Sequence, residues 1–245
     1  MRYREHRDLW DDAAAASYDT PGIGMFAPEV IGPAVERLAT LADGGRAVEF
    51  AIGTGRIAVP LRERGIEVAG VEMSPAMLAR LREKADAAAI PVVLGDMATA
   101  RVPGEHSLVY LVFNGISNLL TQGEQVACFR NAARHLRADG RFVIELGVPT
   151  MPHPADPQAV VVEASDGYLL VDTVDTVAQI IVSHHFRFGE GDARLFRSPH
   201  RYVWPGELDL MGRLAGFELE SRWGDWRGAP FDARSRSHVS VYRLA

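Results

Sequence analysis

A chain of 245 residues that is 47% hydrophobic and 24% charged is long enough for one large globular domain with a sizeable elaboration. Its net charge of -6, with arginines scattered among acids and no cationic stripe, argues against a nucleic-acid partner. A single cysteine, Cys128, excludes an intramolecular disulfide and fits a reducing, cytoplasmic setting; the charged amino terminus does not read as a signal peptide, and no apolar run approaches the ~20 residues that span a bilayer.

In chain order, the alanines at 13–16 suit a helix, and residues 1–45 are expected to form a helical cap. An apolar run at 46–52 then ends in Gly53-Thr54-Gly55, and a short helix over 56–65 stops at Gly65. A strand follows at 66–72. Ser74-Pro75 supplies an N-cap with proline at the first helical position, which predicts a helix over 75–88. Strands are expected at 91–95 and 107–113, a helix at 122–137 that carries Cys128 as an inert buried thiol, and a fifth strand from Arg141. Near-continuous apolar strands separated by helices describe a parallel sheet covered on both faces.

After Pro149 the texture changes. Four prolines crowd 149–157, and from 159 to 203 the chain alternates like antiparallel strands, with turns near 165–167 and 189–191. A helix from Pro205 is stopped by Gly216, and strands at 217–223 and 237–243 close the pattern. The fold class is therefore α/β, a Rossmann-like seven-stranded, mostly parallel sheet with helices on both faces and an antiparallel β insertion before the last helix. Residues 46–148 and 205–245 make the main domain, and 149–204 the insertion, which serves as a substrate lid, a homodimer surface, or both.

Ligands of such sheets bind beyond the carboxyl ends of strands where the strand order reverses. Gly53 and Gly55 let backbone approach a ligand there. Glu72, 19 residues after Gly53 at the end of the second strand, suits the two hydroxyls of a ribose. The loop also satisfies a dinucleotide fingerprint, so a nicotinamide-dependent oxidoreductase is the competing reading. Against it, Glu49 sets a negative charge beside the loop, which repels a pyrophosphate and attracts an amino group or sulfonium. Some 45 residues also precede the first strand, and Gly95-Asp96-Met97 offers an acceptor and an apolar neighbour for an adenine.

Glu49-x-x-x-Gly53-Thr54-Gly55, with Glu72 and Asp96 at the next strand ends, resembles the class I S-adenosylmethionine-dependent methyltransferases over most of 17–147 and 205–243, although Ile57 replaces a frequent third glycine. The resemblance implies S-adenosylmethionine as cofactor. It implies that the backbone from Ala51 through Gly53, Thr54 and Gly55 holds the methionine end, with Glu49 near its amino group. Glu72 would take the ribose, Met73 would flank the adenine, and Asp96 with Met97 would fix its edge. The insertion is similar to that of small-molecule methyltransferases, notably aminosugar N-methyltransferases of antibiotic pathways. In related enzymes a tyrosine of the N-terminal segment contacts the cofactor, and Tyr18 matches it.

The expected activity is methyl transfer to a nitrogen or oxygen of a small-molecule acceptor, driven by proximity and orientation. A non-catalytic binder of the same cofactor is a third reading, since no general base is evident. Asn114 and Asn118 follow the fourth strand at the cofactor edge of the sheet, or else satisfy turn backbone. No HExxH, CxxC or similar spacing indicates a metal. Adjacent His184 and His185 must face opposite ways; alternation gives His184 the apolar, core or substrate-facing side and His185 the solvated side. His153 and His238 are weaker candidates, and Trp204, Trp223 and Trp226 are either acceptor-pocket walls or core.

Overall fold

The computed structural model describes residues 9–150, 159–189 and 192–245. In the N-terminal cap, helix α1 (Asp12–Ala16) is opened by Asp11, whose carboxylate accepts the Ala14 N–H, and helix α2 spans Pro28–Ala42. The alternating region follows as β1 (Ala47–Phe50), α3 (Ala58–Glu63), β2 (Val68–Glu72), α4 (Pro75–Arg82), β3 (Val92–Leu94), β4 (His106–Leu111), α5 (Gln122–His135) and β5 (Leu136–Gly147). Four strands come next, β6 (Ala159–Ser165), β7 (Tyr168–Asp175), β8 (Ile180–Gly189) and β9 (Asp192–Arg201). Helix α6 (Pro205–Leu214), β10 (Phe217–Trp223) and β11 (Ser237–Leu244) complete the chain. Among the described residues no helix is long and apolar enough to cross a membrane.

Seven strands form one sheet in the order β10-β11-β5-β4-β1-β2-β3. Strands β1 to β5 are parallel neighbours, and β11 runs antiparallel to both β5 and β10. The direction of strand addition reverses at β1, which lies between β4 and β2, so the crevice for a ligand falls beyond its carboxyl end. Both faces of the sheet are buried, as the apolar runs require. Val48, Phe50, Phe142 and Ile144 face the core beneath α5 and α6, while Ala47, Leu108, Tyr110 and Val143 face the one beneath α2 and α3.

Two boundaries depart from the sequence expectation for local reasons. The helix expected over 75–88 stops at Arg82, and the Asp86 carboxylate then accepts the N–H groups of Ala88 and Ala89, a side-chain turn that competes with helix. The helix expected to 137 stops at His135. Strand β5 begins at once and passes a register shift near Asp139, whose φ is 60°.

Strands β6-β7-β8-β9 make the expected antiparallel insertion as a second sheet. Arg201, at the end of β9, fastens it to the main body. Its guanidinium donates to Gln125 of α5 (2.5 Å), Gln179 before β8 (2.7 Å) and Glu207 of α6 (2.7 Å), and the arginine side chain is only 5% exposed. The segments leaving and rejoining the main sheet, 147–150 and 202–203, both border the crevice above β1.

Candidate active site

The crevice is a cavity of about 510 Å³. One end is built by the carboxyl ends of β1 and β2 together with the cap. The backbone turns sharply after Phe50. Ala51 and Gly53 have φ of 51° and 58°, and the Ile52 N–H still bonds Val71 O (3.0 Å) to keep the loop on the sheet. Gly55 is required twice over. Its φ is 81°, and a Cβ there would lie 2.3 Å from Leu81 Cδ1.

Glu49 and Glu72 both present carboxylates to this end, 3% and 6% exposed. Burial pushes Glu49 up to about 8, against the Tyr110 hydroxyl that donates to it (3.0 Å) and the nearby Arg56 charge. Burial also raises Glu72, although its two oxygens accept three backbone N–H bonds, from Gly53 (2.8 Å), Met73 (3.0 Å) and Ser74 (2.8 Å). An acid that accepts from Gly53 of the glycine loop and from Met73 and Ser74 of the turn after β2 fixes the loop relative to β2.

The cap closes over the same end. Trp10 and Tyr18 line the cavity and meet edge to face, with ring centroids 5.5 Å apart. Burial raises the Tyr18 phenol above its ordinary value, so it keeps its proton at neutral pH and is a hydrogen-bond donor rather than a base. Arg56 donates to Met25 O (3.0 Å) and stacks over Phe113, 5.0 Å from the ring centroid, which joins cap, loop and the end of β4.

At the end of β4, Phe113 and Asn114 are consecutive residues with positive φ, 51° and 60°. With Ala51, three strained non-glycine residues line one cavity, the distribution expected of a functional site. Their conformation is held by Glu145, which accepts the Phe113 N–H (2.8 Å), and by Asn114 Oδ1, which accepts the Gly147 N–H (2.6 Å). The far end of the cavity is walled by Asp172, Ile181, Ser183 and His200 of the insertion and by Ser117, Asn118 and Tyr202.

Of the residues singled out in the sequence, Tyr18, Glu49, Ala51, Gly53, Thr54, Glu72 and Asn114 line the cavity. Gly55 lies behind the loop as a packing glycine. Met73, Asp96, Met97 and His184 are not in the cavity wall. The Asp96 carboxylate accepts the Ala98 N–H (2.7 Å) and Met97 packs into the main core, so the turn after β3 is stabilised by the pair first assigned to an adenine.

His184 is corrected by the pleat. Asp172, Ser183 and Ile181 face the cavity, so His184 points to the other side, where it meets Thr173 (3.1 Å) and Arg197 (3.2 Å). His185 has the cavity-side face instead and bonds Tyr168 (2.7 Å) and Ser198 (3.1 Å); it is not the solvated member of the pair. His238 is buried against Ser240, Trp226 is core, and neither Trp204 nor Trp223 lines the cavity. His153 lies outside the described residues.

Arg56, Trp10, Phe113 and the insertion's Asp172, Ser183 and His200 were missed. Asp172 carried a signal: a carboxylate in mid-strand, directly after the apolar run Leu169-Leu170-Val171.

A methyltransferase-domain family matches residues 47–140, the span from β1 into the start of β5. The solved structure of the CcbJ methyltransferase from Streptomyces caelestis shares 37% identity, covers 98% of both chains and superposes with a TM-score of 0.84. The cypemycin N-terminal methyltransferase of a Streptomyces species is 27% identical over 95% of this chain and 96% of its own. An amino pentose methyltransferase of Micromonospora echinaspora, solved with S-adenosylmethionine bound, shares the fold at 19% identity, 96% coverage of both chains and a TM-score of 0.67. With its parallel sheet, glycine loop and paired strand-end acids, the chain belongs to the S-adenosylmethionine-dependent methyltransferase family.

Proposed function

We propose that this enzyme methylates a nitrogen or oxygen of a small-molecule acceptor of secondary metabolism, binding donor and acceptor at opposite ends of the one cavity. The observation that carries this reading is the continuity of that cavity, from Glu49 and Glu72 at the glycine loop to Asp172 and Ser183 on the insertion. The relative that methylates the N-terminus of cypemycin, by its name, favours nitrogen.

The residues at the loop fit the cofactor. A carboxylate buried as deeply as Glu49 calls for a cation, which an amino group supplies, and Glu72 stands where a ribose needs an acceptor. Met73 and Asp96, half-buried at the ends of β2 and β3, border the adenine just beyond the cavity rim. S-adenosylmethionine supplies an already activated methyl group, so the protein's part is to orient the acceptor and exclude water. Such positioning lowers barriers by roughly 7–11 kcal/mol. Trp10, Tyr18 and Phe113 exclude water, and the Tyr18 O–H, which stays protonated, serves as a hydrogen-bond donor at this end of the cavity and not as a base. By this reading residues 1–45 are the cap, 46–148 and 205–245 the donor domain, and 149–204 the acceptor lid.

Calorimetric titration with S-adenosylhomocysteine tests it. Wild type is expected to bind, and Glu72→Ala to bind at least roughly tenfold more weakly, since the acid both meets the ribose and holds the loop. Absence of binding to wild type would refute the reading.

A further inference from the structure

Six buried side-chain polar atoms among the described residues have no hydrogen-bond partner, and two of them belong to residues that line the cavity: Asp172 Oδ1 and Asn118 Oδ1. Both are acceptors. The amide of Asn118 is oriented by its own bond, because Nδ2 donates to Gly115 O (3.1 Å) and a flip would set oxygen against oxygen. A buried acceptor without a donor is costly, so this end of the cavity is built for a ligand that brings N–H or O–H groups.

The charge selects between them. Asp172 sits mid-strand on β7, in register with Ser183 of β8, on the face that walls the cavity. Arg56, the arginine of that wall, is committed to Met25 O and the Phe113 ring; Ile181 on the same face is apolar, and His185, which feels the Asp172 charge, is lowered by burial and so is largely uncharged near neutral pH. A hydroxyl has one proton to offer two oxygens. An ammonium has at least two in most amines and carries the charge that a carboxylate in a confined site requires.

We infer that Asp172 and Asn118 together seat an aliphatic amine, so that the accepting atom is nitrogen and Asp172 is the residue that discriminates amines from alcohols. The inference rests on the methyl-transfer reading and narrows it. The amine attacks after its ammonium gives up one proton to solvent: the freed lone pair takes the methyl as the donor's carbon–sulfur bond breaks, and the remaining N–H groups stay on the same oxygens and aim the nitrogen toward the donor.

The test uses benzylamine and its neutral counterpart benzyl alcohol as probes, titrated by ligand-observed NMR into the protein saturated with S-adenosylhomocysteine. Wild type is expected to prefer benzylamine by roughly tenfold, and Asp172→Asn to lose roughly that factor for the amine with benzyl alcohol little changed. Asn118→Leu is expected to weaken the amine several-fold and carries the test if Asp172→Asn does not fold, which its affinity for S-adenosylhomocysteine reports. Equal amine binding by wild type and the variants, or a wild type that binds S-adenosylhomocysteine but ignores or disfavours benzylamine, overturns the amine seat alone. A wild type blind to S-adenosylhomocysteine overturns the methyl-transfer reading beneath it.

Discussion

The carboxylate of Asp19 accepts the hydroxyl of Thr54 at 2.6 Å across 35 residues of chain, while its second oxygen meets Lys84 Nζ at 2.5 Å. Lys84 also donates to Thr54 O (2.8 Å), so cap, glycine loop and the turn after α4 are joined at one point. Asp19 is 13% exposed in its side chain, which makes these charge-assisted bonds worth more than a surface pair. Asp19→Ala is expected to free the cap, with roughly tenfold weaker binding of S-adenosylhomocysteine and faster amide exchange over residues 9–26. Unchanged exchange in that segment would show that the Trp10 and Tyr18 contacts alone hold it.

Glu49 makes cofactor binding a proton-linked event. Its carboxyl is pushed up to about 8 by burial, so near neutral pH the unliganded site holds a proton. A cationic amino group beside it favours the carboxylate, and binding below about pH 8 releases that proton. Affinity therefore rises with pH up to about 8 and falls again where the ligand's own amino group loses its charge. In the unliganded protein the sign is opposite: stability falls as pH climbs from the ordinary value of 4.5 through about 8, because ionising a buried acid opposes folding. Calorimetry in two buffers of different ionisation heat measures the proton. Glu49→Gln removes the rising limb, and Tyr110→Phe, which deletes the hydrogen bond that lowers Glu49, moves that limb to higher pH.

Buried histidines set the acid limit of the fold. Burial lowers His106 and His238 to about 4 each and lowers His135 as well. Between the ordinary 6.5 and about 4 the unfolded chain binds protons that the folded one refuses, so the stability these neutral rings allow is complete above 6.5 and declines as pH falls toward 4. Urea midpoints should drop between about pH 7 and about pH 5, and His238→Asn should flatten part of that slope. A slope that His238→Asn leaves unchanged would exclude a contribution from that ring.

Arg201→Ala is expected to cost about 3–5 kcal/mol in urea unfolding, because Gln125 and Glu207 lose a buried guanidinium and their own desolvation is left uncompensated. Arg234→Ala is the contrast. That ion pair to Asp232 is 92% exposed on the arginine side, and its loss should leave the urea midpoint unchanged. Similar costs for both would mean that the insertion is fastened by its apolar contacts instead.

The sheet and the donor end of the site were legible because their signals are local. An apolar run, a glycine loop and an acid at Glu72 lie within 26 residues of Ala47, and their geometry follows from strand and turn chemistry. The acceptor end was not. Asp172, Ser183 and His200 come from three strands that meet the cavity only through the docking of the second sheet, and that docking depends on Arg201 pairing with residues up to 76 positions away. Alternation told that His184 and His185 part company, but not which face turns inward. Asp96 shows a limit of the motif itself: the strand-end acid also accepts the Ala98 N–H of its own turn, which spacing does not reveal.

The insertion leaves the main sheet at Gly147 and returns at Tyr202, both lining the cavity, and its four strands pair with one another and with no strand of the main sheet. The glycine loop and the second sheet thus come from separate stretches of the chain, joined at two points on the cavity wall. Exchange of that segment for another ribbon of the same span is therefore expected to reshape the insertion side of the cavity while the glycine loop and its acids stay as they are.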